Sequence, residues 1–142
     1  MKLRVMKTAV LTSIMIVLFA ACNECDDCLD ASSKRILLQD ESGNNLWFGE
    51  EAIYNPESAQ LLVSDQQYLP LESDETSGTV QFILEREYSE YYLQLEDGSV
   101  DTLRFALAQQ KSERCCGMRT YSTQTFLNGE ELDNADLITI TQ

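Results

Sequence analysis

The sequence predicts an all-β fold: an antiparallel β-sandwich of about seven to nine strands, with a small closed β-barrel as the alternative. Three observations carry this expectation. Apolar and polar side chains alternate at period two in short runs. Turn-forming clusters separate the runs at spacings of roughly ten residues. No long stretch places apolar residues at helical spacing. The nearest competitor, from Phe105 to Lys111, is outweighed by the alternation that leads into it.

The elements follow in order. Residues 34–39 are the first strand, and Asp40, Glu41, Ser42, Gly43, Asn44 and Asn45 form a turn by composition. Leu46, Trp47 and Phe48 make a short apolar run ended by Gly49, and residues 50–58, with Asn55-Pro56, read as a loop. Residues 59–64 are a strand. Residues 67–71 are a weaker one, which Pro70 pushes to a sheet edge because proline cannot donate to a ladder. In residues 79–87, Val80, Phe82 and Leu84 share a face. Tyr91, Leu93 and Leu95 do so next, before the Asp97-Gly98 turn, and Leu103, Phe105 and Leu107 point inward after it. Residues 120–127 run into Asn128-Gly129, a strong hairpin signal because both central positions of a type I′ turn take positive φ. Residues 137–141 alternate to the end of the last strand.

Composition narrows the function. A chain of 142 residues suits one compact domain. It has 10 Lys+Arg against 24 Asp+Glu, a formal charge of −14. That balance argues against nucleic acid as a partner, since phosphate binding needs a basic face. There is no His. Ser-His-Asp and Cys-His triads, imidazole acid/base chemistry and His-dependent metal sites are thereby removed.

The N-terminal residues read as a targeting signal. Residues 1–7 carry Lys2, Arg4 and Lys7, and residues 8–21 carry no charge. This apolar run is shorter than the roughly 20 residues of a spanning helix, so residues 1–21 read as a signal peptide. Phe19-Ala20-Ala21-Cys22 resembles the bacterial lipobox, with Phe19 in place of the usual Leu. The resemblance implies that Cys22 becomes the acylated first residue and anchors the chain to a membrane. The alternative is a secreted protein cleaved after Ala21, with Cys22 in a disulfide. Loss of the three leader cations changes the formal charge to −17. Residues 22–33 then form an acidic tether, and residues 34–142 a single β domain. Glu24, Asp26 and Asp27, with Asp30, resemble the export signal of surface lipoproteins in Bacteroidota, which implies an outer-membrane, cell-surface location. An unspecific solvated spacer would have the same composition.

With Cys22 acylated, Cys25, Cys28, Cys115 and Cys116 remain, and an exported chain favours disulfides among them. A cross-link between the two Cys groups closes a loop of roughly 90 residues, worth about 3–5 kcal/mol in the chain-entropy model. Both cross-linked pairings stay open, 25–115 with 28–116 or 25–116 with 28–115; the third pairing, 25–28 with 115–116, makes two local rings, one a strained vicinal ring, and is less favoured. Thiolate ligation of zinc or an iron–sulfur cluster is the weaker reading, because acids surround the N-terminal group.

The arrangement also resembles small uncharacterised lipoproteins of Bacteroidota. The shared features are Trp47-Phe48-Gly49, Ala52-Ile53-Tyr54-Asn55-Pro56, Tyr92-Leu93-Gln94-Leu95, Asp101-Thr102-Leu103, Cys115-Cys116 and Leu127-Asn128-Gly129. The resemblance implies an immunoglobulin-like β-sandwich and carries no catalytic residues. Asp101-Thr102-Leu103 also resembles an O-glycosylation acceptor motif of that phylum.

Other clusters have simpler explanations than chemistry. Glu85, Glu87 and Glu90 read as a solvated face rather than a glycosidase pair. The acids of residues 40–45 and 131–136 read as turns rather than calcium loops, and neither has EF-hand spacing. No cofactor or metal is expected. Trp47, Phe48, Tyr88 and Tyr92 form a candidate ligand patch, with core packing as the competing role. The expectation is a lipid-anchored, non-enzymatic binding, adhesion or structural module with an unknown protein or glycan ligand. The alternatives are an accessory subunit for glycan or nutrient uptake and a small carboxylate-based enzyme.

Overall fold

A computed structural model describes residues 32–64, 67–111, 117–133 and 136–142. The chain is all-β and builds two sheets. The ten strands are β1 (Ser33–Gln39), β2 (Gln60–Val63), β3 (Tyr68–Leu69), β4 (Glu72–Asp74), β5 (Thr79–Ile83), β6 (Glu90–Gln94), β7 (Val100–Lys111), β8 (Met118–Leu127), β9 (Glu130–Leu132) and β10 (Leu137–Thr141). One sheet has the order β10-β1-β5-β4 and the other β3-β2-β6-β7-β8-β9. One of the two sheets curls into half a barrel, and neither order closes on itself.

Two expectations need correction. The described residues form ten strands rather than seven to nine, because β4 and β9, each only three residues long, went unforeseen. The pairing is also not purely antiparallel. β1 runs parallel to β10, with Ile36 opposite Ile138 and Leu38 opposite Ile140, and the other strand pairs are antiparallel. Alternation tells a strand which face is apolar but not which distant strand lies beside it. The 105–111 segment is strand, in the long β7. β1 starts at Ser33, and the Ser32 hydroxyl donates to the Thr120 carbonyl at 2.6 Å. Ser32 and Ser33, expected in the tether, therefore belong to the β domain.

Pro70 separates two edge strands. β3 ends one sheet and β4 the other, so the chain crosses between layers at a residue unable to join either ladder. The turn after β8 has Asn128 at φ 50° and Gly129 at φ 90°, both in the left-handed region the hairpin requires. A bulge between Ala106 and Leu107 shifts the register of β7 on β8.

Both sheets contribute to one core. Ile36, Leu38, Val80, Phe82, Ile138 and Ile140 come from the four-stranded sheet. Leu61, Val63, Tyr91, Leu93, Leu103 and Phe105 come from the six-stranded one. The layers meet at an aromatic triad. The Phe82 ring lies 5.4 Å from Tyr91 and 6.1 Å from Phe105, and Tyr91 meets Phe105 edge-on at 5.5 Å. Such pairs add about 0.5–1.5 kcal/mol each beyond area burial. The Tyr91 hydroxyl accepts from the Glu85 amide at 2.9 Å and donates to its carbonyl at 3.4 Å, fixing the corner where the chain changes sheets.

Polar clasps close the ends of the core. Lys34 is 3% exposed on the inward face of β1, and its Nζ meets Asp136 Oδ1 at 3.1 Å, beside the backbone bond from Arg35 N to Asp136 O. This pair fixes where β10 starts against β1. At the buried Asp101, one carboxylate oxygen accepts from Asn128 Nδ2 at 2.8 Å and the other from Gln142 Nε2 at 3.0 Å. Asn45 Oδ1 accepts from the amides of Trp47 and Phe48, and its Nδ2 donates to the Gly78 carbonyl at 2.7 Å. It fastens the loop after β1 to the β4–β5 turn.

Candidate functional site: the outer face of the six-stranded sheet

Alternation gives the six-stranded sheet a second face. Leu61, Val63, Tyr91, Leu93, Leu103 and Phe105 point into the core, so Gln60, Leu62, Tyr92, Gln94, Val100, Thr102 and Arg104 point outward. Register then aligns them. Leu62 stands opposite both Tyr68 and Tyr92, Tyr92 opposite Thr102, Gln60 opposite Gln94, and Gln94 opposite Val100. The result is an apolar strip from Tyr68 through Leu62 and Tyr92 to Val100, bordered by two amides and a threonine. Tyr68 is 60% exposed and Val100 52% exposed.

Along this strip lies a shallow groove of about 260 Å³, lined by Leu62, Val63, Ser64, Tyr92, Gln94 and Val100. It falls below the roughly 300–1,000 Å³ of enclosed small-molecule pockets, and suits a group laid across a surface. The Tyr92 hydroxyl donates to Glu90 Oε2 at 2.9 Å. That bond to a carboxylate, with some desolvation, raises the phenol above its ordinary value and keeps it neutral. Beyond it, Glu90 stands opposite Arg104, whose guanidinium lies 4.6 Å from the centroid of the Phe126 ring. The face thus offers flat apolar rings, neutral hydrogen-bonding groups and one stacked cation. Among the described residues it holds no paired carboxylates and no nucleophile–base pair.

The four patch residues named from sequence do not assemble there. Trp47 is 2% exposed and belongs to the core, so it does not reach a ligand surface. Its indole N–H has no acceptor among the described residues. Phe48 and Tyr88 are half-buried against the core, and the Tyr88 hydroxyl donates to Gln67 Oε1 at 3.0 Å. Tyr92 is the one of the four on the groove. Leu62, Tyr68, Gln94 and Val100 were missed. The signal for Leu62 was present, because three consecutive apolar residues (Leu61, Leu62, Val63) on one strand cannot all face inward.

Cys22, Cys25, Cys28, Cys115 and Cys116, together with Glu24, Asp26 and Asp27, lie outside the described residues. The two acidic segments weighed for calcium fare differently. Asp40 turns its carboxylate onto its own loop, accepting from the amides of Ser42 and Asn44 and from Asn44 Nδ2 at 2.8–2.9 Å. In the other, Glu131 accepts from Gln124 Nε2, Asp136 pairs with Lys34, and residues 134–135 are not described. Among the described residues, no group of three or more Cys, Asp or Glu side chains stands close enough to hold a metal ion. Thr102 lies within β7, half-buried, with its amide bonded to Asn128 Oδ1.

Set against protein families, curated proteins and solved structures, the chain matches none.

Proposed function

We propose that this chain is a lipid-anchored, surface-displayed binding module of the outer membrane, non-enzymatic, with the groove on the six-stranded sheet as its ligand face. The leader, Cys22 and the acids that follow support the anchor and its location. The observation that carries the binding role is the strip in which exposed Tyr68 and Val100 flank half-buried Leu62 and Tyr92. Contiguous apolar area on a soluble face, rimmed by polar groups, is the ordinary mark of an interaction site. An immunoglobulin-like β-sandwich is the finer reading of the fold. It is supported by the shared core and by the Tyr91 corner, where a hydroxyl bonds back to the backbone six residues upstream.

The lining favours a neutral, ring-bearing ligand, and hence the glycan-uptake reading as the second possibility. Tyr92 supplies an aromatic surface, and Gln60 and Gln94 supply amides that both donate and accept. The test displays the full chain on cells and probes them with a glycan array and with immobilised proteins. Tyr92→Ala and Val100→Asp variants are compared at matched surface amount. A signal lost in both variants is expected. No signal from the wild type, or one unchanged in the variants, overturns the binding role. Cys22→Ala separately tests the anchor: the chain should leave the membrane fraction, and retention after a salt wash refutes acylation there.

A further inference from the structure

The two sheets expose four edges, and three of them are blunted. β3 is two residues long and runs into Pro70. β4 carries Glu72 and Asp74, and β9 carries Glu130 and Glu131. Short length, proline and charge are the usual devices against edge-to-edge pairing. The fourth edge has none of them. β10 is Leu137-Ile138-Thr139-Ile140-Thr141, five residues without a charge or a proline. Among the described residues nothing pairs with its open side.

The direction of its backbone groups follows from the ladder. The Asp136 carbonyl accepts from Arg35 and the Gln142 amide donates to Gln39, so even-numbered residues bond to β1. Leu137, Thr139 and Thr141 therefore turn their N–H and C=O groups to the open edge. Their side chains lie on the outer face, and Ile138 and Ile140 are buried on the inner one.

We propose that this edge is the interface for a second copy of the chain, paired β10 to β10 antiparallel about a two-fold axis through Thr139. The array is self-complementary. Thr139 meets Thr139 of the second copy, and Leu137 and Thr141 meet Thr141 and Leu137. Facing residues of such bonded pairs exchange both N–H···O bonds. Ile138 and Ile140 meet Ile140 and Ile138 on the inner face, so the cores become continuous. Charge selects this edge and register. Two strongly acidic molecules are disfavoured from pairing along β4 or β9, where acids would face acids. Along β10 the nearest acid, Asp136, falls opposite Gln142 of the second copy and is already paired with Lys34. Two four-stranded sheets thereby join into one of eight strands, on the layer opposite the ligand groove.

The test is sedimentation velocity of the full chain in detergent over a range of concentrations, beside Thr139→Pro and Thr139→Lys. Proline is tolerated where the N–H faces solvent, so the monomer keeps its fold, and lysine puts two ammonium groups across the axis. A wild-type dimer is expected, with the dissociation constant raised at least tenfold in both variants. Hydrogen exchange reads the register. Amides of Leu137, Thr139 and Thr141 should gain protection with concentration, and those of Ile138 and Ile140 should be protected throughout. A wild type that stays monomeric, a dimer that survives both variants, or odd-numbered amides indifferent to concentration overturns the proposal. Should the proline variant unfold, the lysine variant alone decides.

Discussion

Tyr91→Phe removes one oxygen from the core and should change stability in opposite directions at neutral and alkaline pH. At neutral pH the Glu85 amide loses its acceptor, which costs about 1 kcal/mol. The phenol is fully buried, and desolvation pushes its pKa up from 10.0 to about 12. A tyrosine is neutral when protonated, so its raised folded value favours the native state only while the proton stays on. That contribution is complete below the unfolded pKa of 10 and is lost as pH rises through the folded value near 12. Two pH units at about 1.36 kcal/mol each amount to about 2.7 kcal/mol. Phenylalanine does not titrate. Urea denaturation from pH 7 to pH 12 should therefore show the variant less stable by about 1 kcal/mol at first. The two curves should cross within the alkaline window, and the variant should end as the more stable protein. Tyr92→Phe is the control, since its exposed hydroxyl bonds Glu90 and its loss leaves most of the alkaline decline in place. If Tyr91→Phe declines in parallel with the wild type, the buried corner is not the group responsible.

Two further outcomes follow from the turns. Gly78→Ala should cost about 2–3 kcal/mol by thermal or chemical denaturation, from left-handed backbone strain and loss of the Asn45 bond. The new Cβ would lie 2.5 Å from Asn45 Nδ2, whereas Gly43→Ala at φ 84° meets no atom and should cost only the strain. Asp40, Asp74 and Asp97 are held below the ordinary carboxylate value, chiefly by the side chains of Asn44, Ser77 and Ser99. Their contribution is present above the unfolded value of 3.8 and lost as pH falls below it toward their depressed values. Replacing all three by Asn should flatten the denaturation midpoint against pH below pH 4, and an unaltered slope would count against these turns.

Local features were legible because local physics fixes them. Val80, Phe82 and Leu84, and Tyr91, Leu93 and Leu95, are buried as period-two alternation requires. Asn128-Gly129 makes its left-handed turn, and Pro70 falls between two edge strands. Non-local features were not. The β1–β10 pairing joins residues about a hundred positions apart, and no period within either strand encodes it. Lys34 points inward although it is charged, because its aliphatic stem packs and Asp136 meets its charge, a partner that lies 102 positions away. The candidate site was half legible. Tyr92 came from its aromatic character, but Tyr68, Leu62 and Val100 join it only through a register that three strand pairings set together.

The placing of β1 also governs how the protein meets mechanical load. If the proposed N-terminal anchor holds the protein at a surface, drag would enter the described fold through Ser32 and load β1. That strand is flanked by β10 on one side and β5 on the other, not hung at a margin. To extract it, its rungs to both neighbours must slide and fail together, because a pull along the strand shears a ladder instead of unzipping it. Shear geometry raises the force of forced unfolding, whose rate is set by the unfolding barrier rather than by equilibrium stability. A tether inserted before an edge strand such as β4 would peel away rung by rung, and the domain would yield under far gentler flow.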